Sequence, residues 1–320
     1  MPDHASSHYK NRDRFEFAII GLAFLCFLCL SGCAISPRLA PVDEKARFKD
    51  SLVDVIRASG AEVGYALWDL ETGQKVMINK KTLFHAASTM KVAVMIEVFR
   101  QAGLGRFGLE DPLPVRNQFP SLIDGSLYSL SPDDDSDRSV YEFVGKTLPI
   151  RKLVVQMITV SSNLATNVLL ELVGVSRVMA TLKGLGIRRH FIRRGLEDKK
   201  AYDKGLNNET DASSLMLVME SIASGRAGTA SACREMEDIL SRQNFRENIP
   251  AGLPEGVRVA NKTGWITGIN HDAAIVYPPG RKPYVLVVLT RGIEAQEQAA
   301  KLVAELSRLT YAFLSRLKKA

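Results

Sequence analysis

Phe84-His85-Ala86-Ala87-Ser88-Thr89-Met90-Lys91 is the stretch on which the reading of this chain turns. Ser88 and Lys91 stand at i and i+3. On a helix such a pair shares one face, so the lysine amine can reach the serine oxygen. The residues that follow, Val92-Ala93-Val94-Met95, are apolar, and Thr89 to Ala102 reads as a buried helix beginning at the serine. A nucleophile at a helix N-terminus has a free backbone N–H beside it, and the helix dipole favours developing negative charge there. A desolvated lysine near other cations loses proton affinity and can serve as a base. The spacing alone is common: ordinary Ser and Lys usage gives roughly one S-x-x-K by chance in a chain this long. Ser7-His8-Tyr9-Lys10 is such a decoy, in a segment expected to be removed.

Two later motifs lift Ser88 above the decoy. Ser161-Ser162-Asn163 follows an apolar helical pattern, Leu153 to Val160. Alone it reads as a helix cap. Beside a nucleophile, Ser161 can relay a proton toward a leaving nitrogen, and Asn163 can donate to a substrate amide carbonyl. Lys262-Thr263-Gly264 lies on a predicted strand. Lys262 and Thr263 can hold a substrate carboxylate, and Gly264 lets a ligand approach the strand closely. The N–H of Trp265 can pair with that of Ser88 as an oxyanion hole.

The rest of the chain supplies an architecture. Asp43 to Ala58 has helical apolar spacing, and Gly64 to Leu70 and Lys75 to Asn79 flank a Gly-containing turn. Gly103 to about Ser139 is rich in Pro, Asp, Gly and Ser. Helical patterns follow at Ile150 to Val160, Ala165 to Val173, Ser176 to Leu185 and Ala212 to Ala223, with Gly195 to Thr210 as a long loop. Strands return at Val257 to Lys262, Asp272 to Tyr277 and Tyr284 to Thr290, and Glu294 to Leu317 closes as an amphipathic helix. Strands at both ends with helices between predict an α+β (α/β) fold: one antiparallel sheet built from both termini, with an inserted helical part.

With S-x-x-K, Ser-Ser-Asn and Lys-Thr-Gly in this order, the chain resembles the penicillin-recognising serine hydrolases, and within them the class A β-lactamases. The likeness runs from about Val63 to the C-terminus. It includes Phe84-His85-Ala86-Ala87 before the nucleophile and Asn163-Leu164-Ala165-Thr166-Asn167 after the second motif. It implies a five-stranded antiparallel sheet flanked by helices in three layers, an all-helical subdomain, an active site at their junction, and neither metal nor organic cofactor. A monomer is also expected by resemblance.

The departures concern deacylation and substrate anchoring. Class A enzymes activate the hydrolytic water with a loop Glu whose partner Asn comes four residues later. Here the loop is Arg194-Gly195-Leu196-Glu197-Asp198-Lys199-Lys200-Ala201, so Glu197 is the candidate and its partner position holds Ala201. Asn207 and Asn208 are possible substitutes. Ser162 replaces the usual Asp of the second motif. The carboxylate-holding arginine has no evident match; His271, equally a strand residue with its own hydrogen bonds, and Arg291 are the nearest. A Ser–His–Asp triad using His85 or His271 with Asp272 lacks the G-x-S-x-G elbow around Ser88.

The N-terminus reads as an export signal. Lys10, Arg12 and Arg14 precede an apolar run from Phe15 to Leu30, too short to favour a permanent span, and Leu30-Ser31-Gly32-Cys33 resembles a lipobox with Cys33 as the lipidated residue. A plain signal peptide and an uncleaved anchor are the other readings. The domain plan is a leader over 1–33, a tether over 34–42 and a catalytic domain over 43–320. Within that domain, 43–103 with 240–320 form the α/β part and 104–239 the helical part. Of four cysteines only Cys233 lies beyond the leader and lipobox, so the mature chain has no internal disulfide and relies on its core. Its 46% apolar content suffices for one. The net charge of +7 is spread along the chain, with no long basic face interleaved with aromatics, which argues against nucleic-acid binding. The densest basic patch, Arg188-Arg189-His190 with Arg193-Arg194, reads as a solvated loop.

The sequence therefore predicts an exported, envelope-bound serine hydrolase opening β-lactam rings through a Ser88 acyl-enzyme. Catalytic residues are Ser88, Lys91, Ser161 and Glu197; Asn163, Lys262, Thr263, Gly264 and Trp265 bind substrate. The rivals are a D-Ala-D-Ala peptidase or esterase-like relative acting on cell-wall peptide, and a non-catalytic envelope binding protein.

Overall fold

The central sheet is assembled from the two ends of the chain. A computed structural model describes residues 43–317; Cys33, the expected leader and the tether lie outside the described residues. The strands are β1 (Glu62–Asp69), β2 (Lys75–Ile78), β3 (Arg258–Ile266), β4 (Ile269–Tyr277) and β5 (Tyr284–Arg291). They lie antiparallel in the order β3-β4-β5-β1-β2, so the first strand pairs with the last, Val63 opposite Thr290.

Period-two alternation sorts this sheet into two faces. Val63, Tyr65, Leu67, Val259, Ala274, Val276, Leu286 and Val288 pack with α1 (Glu44–Ser59) and α9 (Gln296–Leu317). There Phe48 of α1 stacks on Phe313 of α9, ring centroids 4.2 Å apart, and the Tyr65 hydroxyl meets Thr310 Oγ1 at 2.7 Å. Asp43 caps α1 by accepting from Lys45 N and Ala46 N, and Gly60 ends it in the left-handed region.

The opposite face, including Ala66, Ala260, Ala273, Ile275, Val285 and Val287, packs against the helical part. That part comprises α2 (Lys91–Gly103), α3 (Ile150–Thr159), α4 (Asn163–Val173), α5 (Val175–Gly184), the short α6 (Lys199–Asp203), α7 (Ala212–Ala223) and α8 (Ala230–Ser241). Lys262 sits on this face of β3, one strand step from Ala260. Alternation thus aims its amine at the helical part.

Three sequence expectations change in detail. The region expected as an unbroken loop over Gly195 to Thr210 contains α6 and ends in a strand, Glu209–Thr210, that joins Phe84–His85 and His190–Phe191 in a small sheet. The basic patch is not a solvated loop either: His190 is buried, Arg189 pairs with Asp211, and Arg193 pairs with Glu209. Helix α8 was missed, although Thr229 caps it and Cys233, Met236, Ile239 and Leu240 give it a helical stripe.

Candidate active site

Ser88 sits in a 3-10 turn, Ala87–Met90, that runs directly into α2. The turn is pinned on both sides. Ala86 N donates to Asn208 O at 2.8 Å, and Thr89 Oγ1 donates to Ala86 O at 2.6 Å. Ala87 takes φ +44°, a region L-residues other than Asn and Asp seldom enter. Among the described residues four non-glycines have positive φ. Three of them, Ala87, Ser161 and Glu197, border the space around Ser88. Such backbone strain persists only where surrounding bonds over-determine it, and it clusters at active sites and ligand clamps in proteins generally.

Lys91 is fully buried and its amine turns to the second motif rather than to solvent. Nζ donates to Ser161 O at 2.6 Å and Asn163 Oδ1 at 2.8 Å, with Ser161 Oγ at 3.2 Å. From the sheet, Lys262 Nζ meets the same Ser161 Oγ at 3.0 Å and donates to Thr263 O at 2.8 Å. Two buried amines thus converge on one hydroxyl. Burial pushes Lys91 down to about 7, partly opposed by the charges of Asp135 and Glu197. Burial also drives Lys262 well down, and Lys91 adds to the effect. Amines in this state can accept protons near neutrality.

Glu197 stands across the cleft. Asn163 bridges it to the lysine: Oδ1 accepts from Lys91 while Nδ2 donates to Glu197 Oε1 at 3.3 Å. Burial raises the Glu197 pKa and Arg194 opposes that shift. The loop is tied down by Asn167, whose amide accepts from Leu196 N at 2.7 Å and donates to Leu196 O at 2.9 Å. Asp198 caps α6 and also bonds Ser121 Oγ and Leu122 N, both at 2.8 Å. Asn207 and Asn208 do not replace the absent partner at Ala201. Asn207 bonds Arg194, and the buried Asn208 side chain bonds the backbone of Arg193 and Arg194. The side chain beside Glu197 is Asn163.

The third motif closes the other wall. A Cβ on Gly264 would lie 3.0 Å from both Ser88 N and Thr89 N, so β3 meets the Ser88 turn backbone to backbone. Ser88, Ser161, Asn163, Glu197, Thr263 and Trp265 line a cavity of about 860 Å³, within the range of small-molecule sites. A second space of about 410 Å³ shares Ser88, Asn163, Glu197 and Trp265. Lys262 forms part of neither lining; its contact is with Ser161.

The carboxylate-anchor candidates sit elsewhere. His271 is buried, with Nε2 2.9 Å from His85 O and Nδ1 accepting from Thr290 N; Arg291 pairs with Glu62. Asp272 bonds Asn261 and Ile249 N on the opposite face of the sheet, so no triad forms with either histidine. Ser162 is the side-chain cap of α4, as the helix-cap reading required. Sequence reasoning passed over Asp135. Its carboxylate accepts from Asn163 N at 2.9 Å and Leu164 N at 3.0 Å. Only its place in the acidic run Asp133-Asp134-Asp135 marked it.

Comparison with known proteins agrees with this geometry. Residues 47–314 match the model of a family described as the β-lactamase enzyme family. Curated relatives include the ROB-1 β-lactamase of Haemophilus influenzae, 26% identical over 290 residues, covering 86% of this chain and 88% of the relative. The AST-1 β-lactamase of Nocardia asteroides is 27% identical over 315 residues, covering 94% and 96%. Among solved structures, a β-lactamase from Xanthomonas campestris superposes with a TM-score of 0.74 at 19% identity, covering 85% of this chain and 99% of that one. A mutant of PBP-A, solved as an acyl-enzyme complex with penicillin G, gives 0.73 at 23%, covering 85% and 97%.

Proposed function

The chain belongs to the β-lactamase enzyme family, and from that premise we propose that it opens β-lactam rings through an acyl-enzyme on Ser88. The observation that carries this reading is the convergence of Lys91 and Lys262 on Ser161 Oγ beside the Ser88 turn. Neutral Lys91 takes the Ser88 proton as Oγ attacks the lactam carbonyl carbon. The N–H groups of Ser88 and Trp265 receive the oxyanion. The C–N bond breaks, and Ser161 passes a proton to the departing nitrogen, drawing its replacement from the lysines. Glu197 then takes a proton from water, the hydroxide attacks the ester, and as the ester C–O bond breaks the departing Ser88 oxygen takes a proton from Lys91, which recovers one from Glu197. Thr263 holds the substrate carboxylate end, with Lys262 buried behind it on Ser161 rather than in the cavity, and Gly264 gives room on the strand.

Residues 1–33 serve in this reading as the export leader and 34–42 as the tether. Cys33 carries the lipid that holds a monomeric catalytic domain, 43–320, at the envelope, facing the periplasm or exterior. An intact-mass time course of the purified protein with a penicillin tests the chemistry. Wild type consumes substrate with a transient adduct, Ser88→Ala forms none, and Glu197→Gln accumulates the adduct with deacylation slowed about 100- to 10,000-fold. A lasting adduct on wild type would favour the peptidase reading. Absence of both adduct and turnover would refute the β-lactam chemistry.

A further inference from the structure

We propose that Asp135 and Ser136 form a positioning clamp on the Val160–Leu164 turn, holding Ser161 and Asn163 in register with Lys91. The inference rests on the assignment of Ser88 and Lys91 as nucleophile and base. The two residues grip opposite polarities of one turn. Ser136 Oγ shares its one proton between Val160 O at 2.8 Å and Ser161 O at 3.1 Å. The Asp135 carboxylate accepts from Asn163 N through both oxygens at 2.9 Å and from Leu164 N at 3.0 Å. Tyr141 steadies that carboxylate with a hydroxyl at 3.0 Å.

The clamp sits where the turn needs it. Ser161 has φ +63°, a conformation a serine leaves unless held. Ser162 caps α4 only at Ala165 N, which leaves the N–H groups of Asn163 and Leu164 to another acceptor. Asp135 supplies it, together with a negative charge at the helix N-terminus. All three neighbouring aspartates border the cavity; Asp133 also pairs with Arg138, and Asp135 alone of the three turns its carboxylate to the Asn163 and Leu164 backbone.

The clamp also acts on the base. Lys91 faces Lys262 from β3, Glu197 from the loop and Asp135 from this segment. Asp135 favours the protonated amine and so opposes the lowering of Lys91 by burial.

The test follows the rate at which a fluorophosphonate, a serine-reactive probe, labels Ser88 between pH 5 and 9. It needs no β-lactam turnover. Asp135→Ala releases the turn and slows labelling about 10- to 100-fold, the cost of misplacing reacting groups by a fraction of an ångström to an ångström. Asp135→Asn keeps an acceptor oxygen but loses the charge; it retains most of the rate at high pH, and its acid limb moves to lower pH. Ser136→Ala slows labelling about three- to tenfold. If Asp135→Ala does not fold, Asp135→Asn and Ser136→Ala carry the test. Wild-type rates and an unmoved acid limb in the folded variants would overturn the clamp. Probe labelling of wild type without any reaction with penicillin would refute the β-lactam reading and leave the clamp to be judged on these variants.

Discussion

The Lys91→Arg substitution isolates the proposed base, and its effect can be worked out from the site. With Lys91 at about 7 in place of its ordinary 10.5, about half the molecules carry a neutral amine at pH 7. An unshifted lysine would be neutral in roughly one molecule in 3,000. Burial therefore enlarges the reactive population roughly 1,500-fold. A neutral amine has two N–H donors and one lone pair. Ser161 O and Asn163 Oδ1 can occupy the donors, which leaves the lone pair for the Ser88 proton. Below pH 7 the acylation rate should fall about tenfold per unit, following the neutral fraction. Arginine keeps the positive charge but cannot be deprotonated, so acylation should drop about 100- to 10,000-fold at every pH. Stopped-flow acylation by a chromogenic cephalosporin measures both. A rate flat from pH 5.5 to 8, or an arginine variant that acylates normally, would refute the assignment. A limb in the carboxylic-acid range that vanishes in Glu197→Gln would transfer the role to Glu197.

Other outcomes follow from the packing. Gly264→Ala forces a Cβ against Ser88 N and Thr89 N; the nucleophile turn shifts, and acylation should fall at least tenfold with a stability cost of about 1–3 kcal/mol, read by calorimetry. Leu52→Ala opens a void between α1 and the sheet where Leu52 is fully buried, costing about 2–5 kcal/mol with acylation unchanged in the surviving folded protein. Acid should destabilise the fold. Buried His190 and His271 are both held down to about 4. Between pH 4 and 6.5 the unfolded chain therefore binds protons the folded one does not, and stability rises with pH. Asp272, pushed up to about 6 by burial, acts in the opposite sense from 3.8 to 6. His85 is likewise held down to about 4 and adds to the effect, so the three histidines outweigh Asp272 and stability falls on acidification through that window, measurable by urea unfolding.

The apolar patterns carried most of the architecture. The β-rich runs of β4 and β5, buried on both faces, and the helical stripe of α3 were visible because burial writes itself into residue type. The three motifs could be ordered but not joined, since Ser161 reaches Lys91 and Lys262 only through the folding of distant segments. Asn163 looked like a substrate donor; its bond to Glu197 depends on where a loop crosses α4. The left-handed Ala87 carried no marker, because alanine gives no sign of an unusual φ. Asp135 was hidden for a different reason. Its carboxylate bonds mainly backbone N–H groups far along the chain, and its one side-chain partner, Tyr141, is a hydroxyl that carries no charge to match.

The pairing of β1 with β5 also sets a timetable. Translation makes β1 and the Ser88 turn early, but the strand opposite Val63 carries Thr290 and is synthesised near the end. Until then β1 lacks one edge partner, and the turn lacks Gly264 behind it. Such long-range closure is slow to form and leaves apolar strand edges open in the nascent chain. The same delay keeps the chain threadable while it is being made. A polypeptide whose first strand cannot be satisfied before its last has emerged completes its Ser88 turn only once nearly the whole chain has been made.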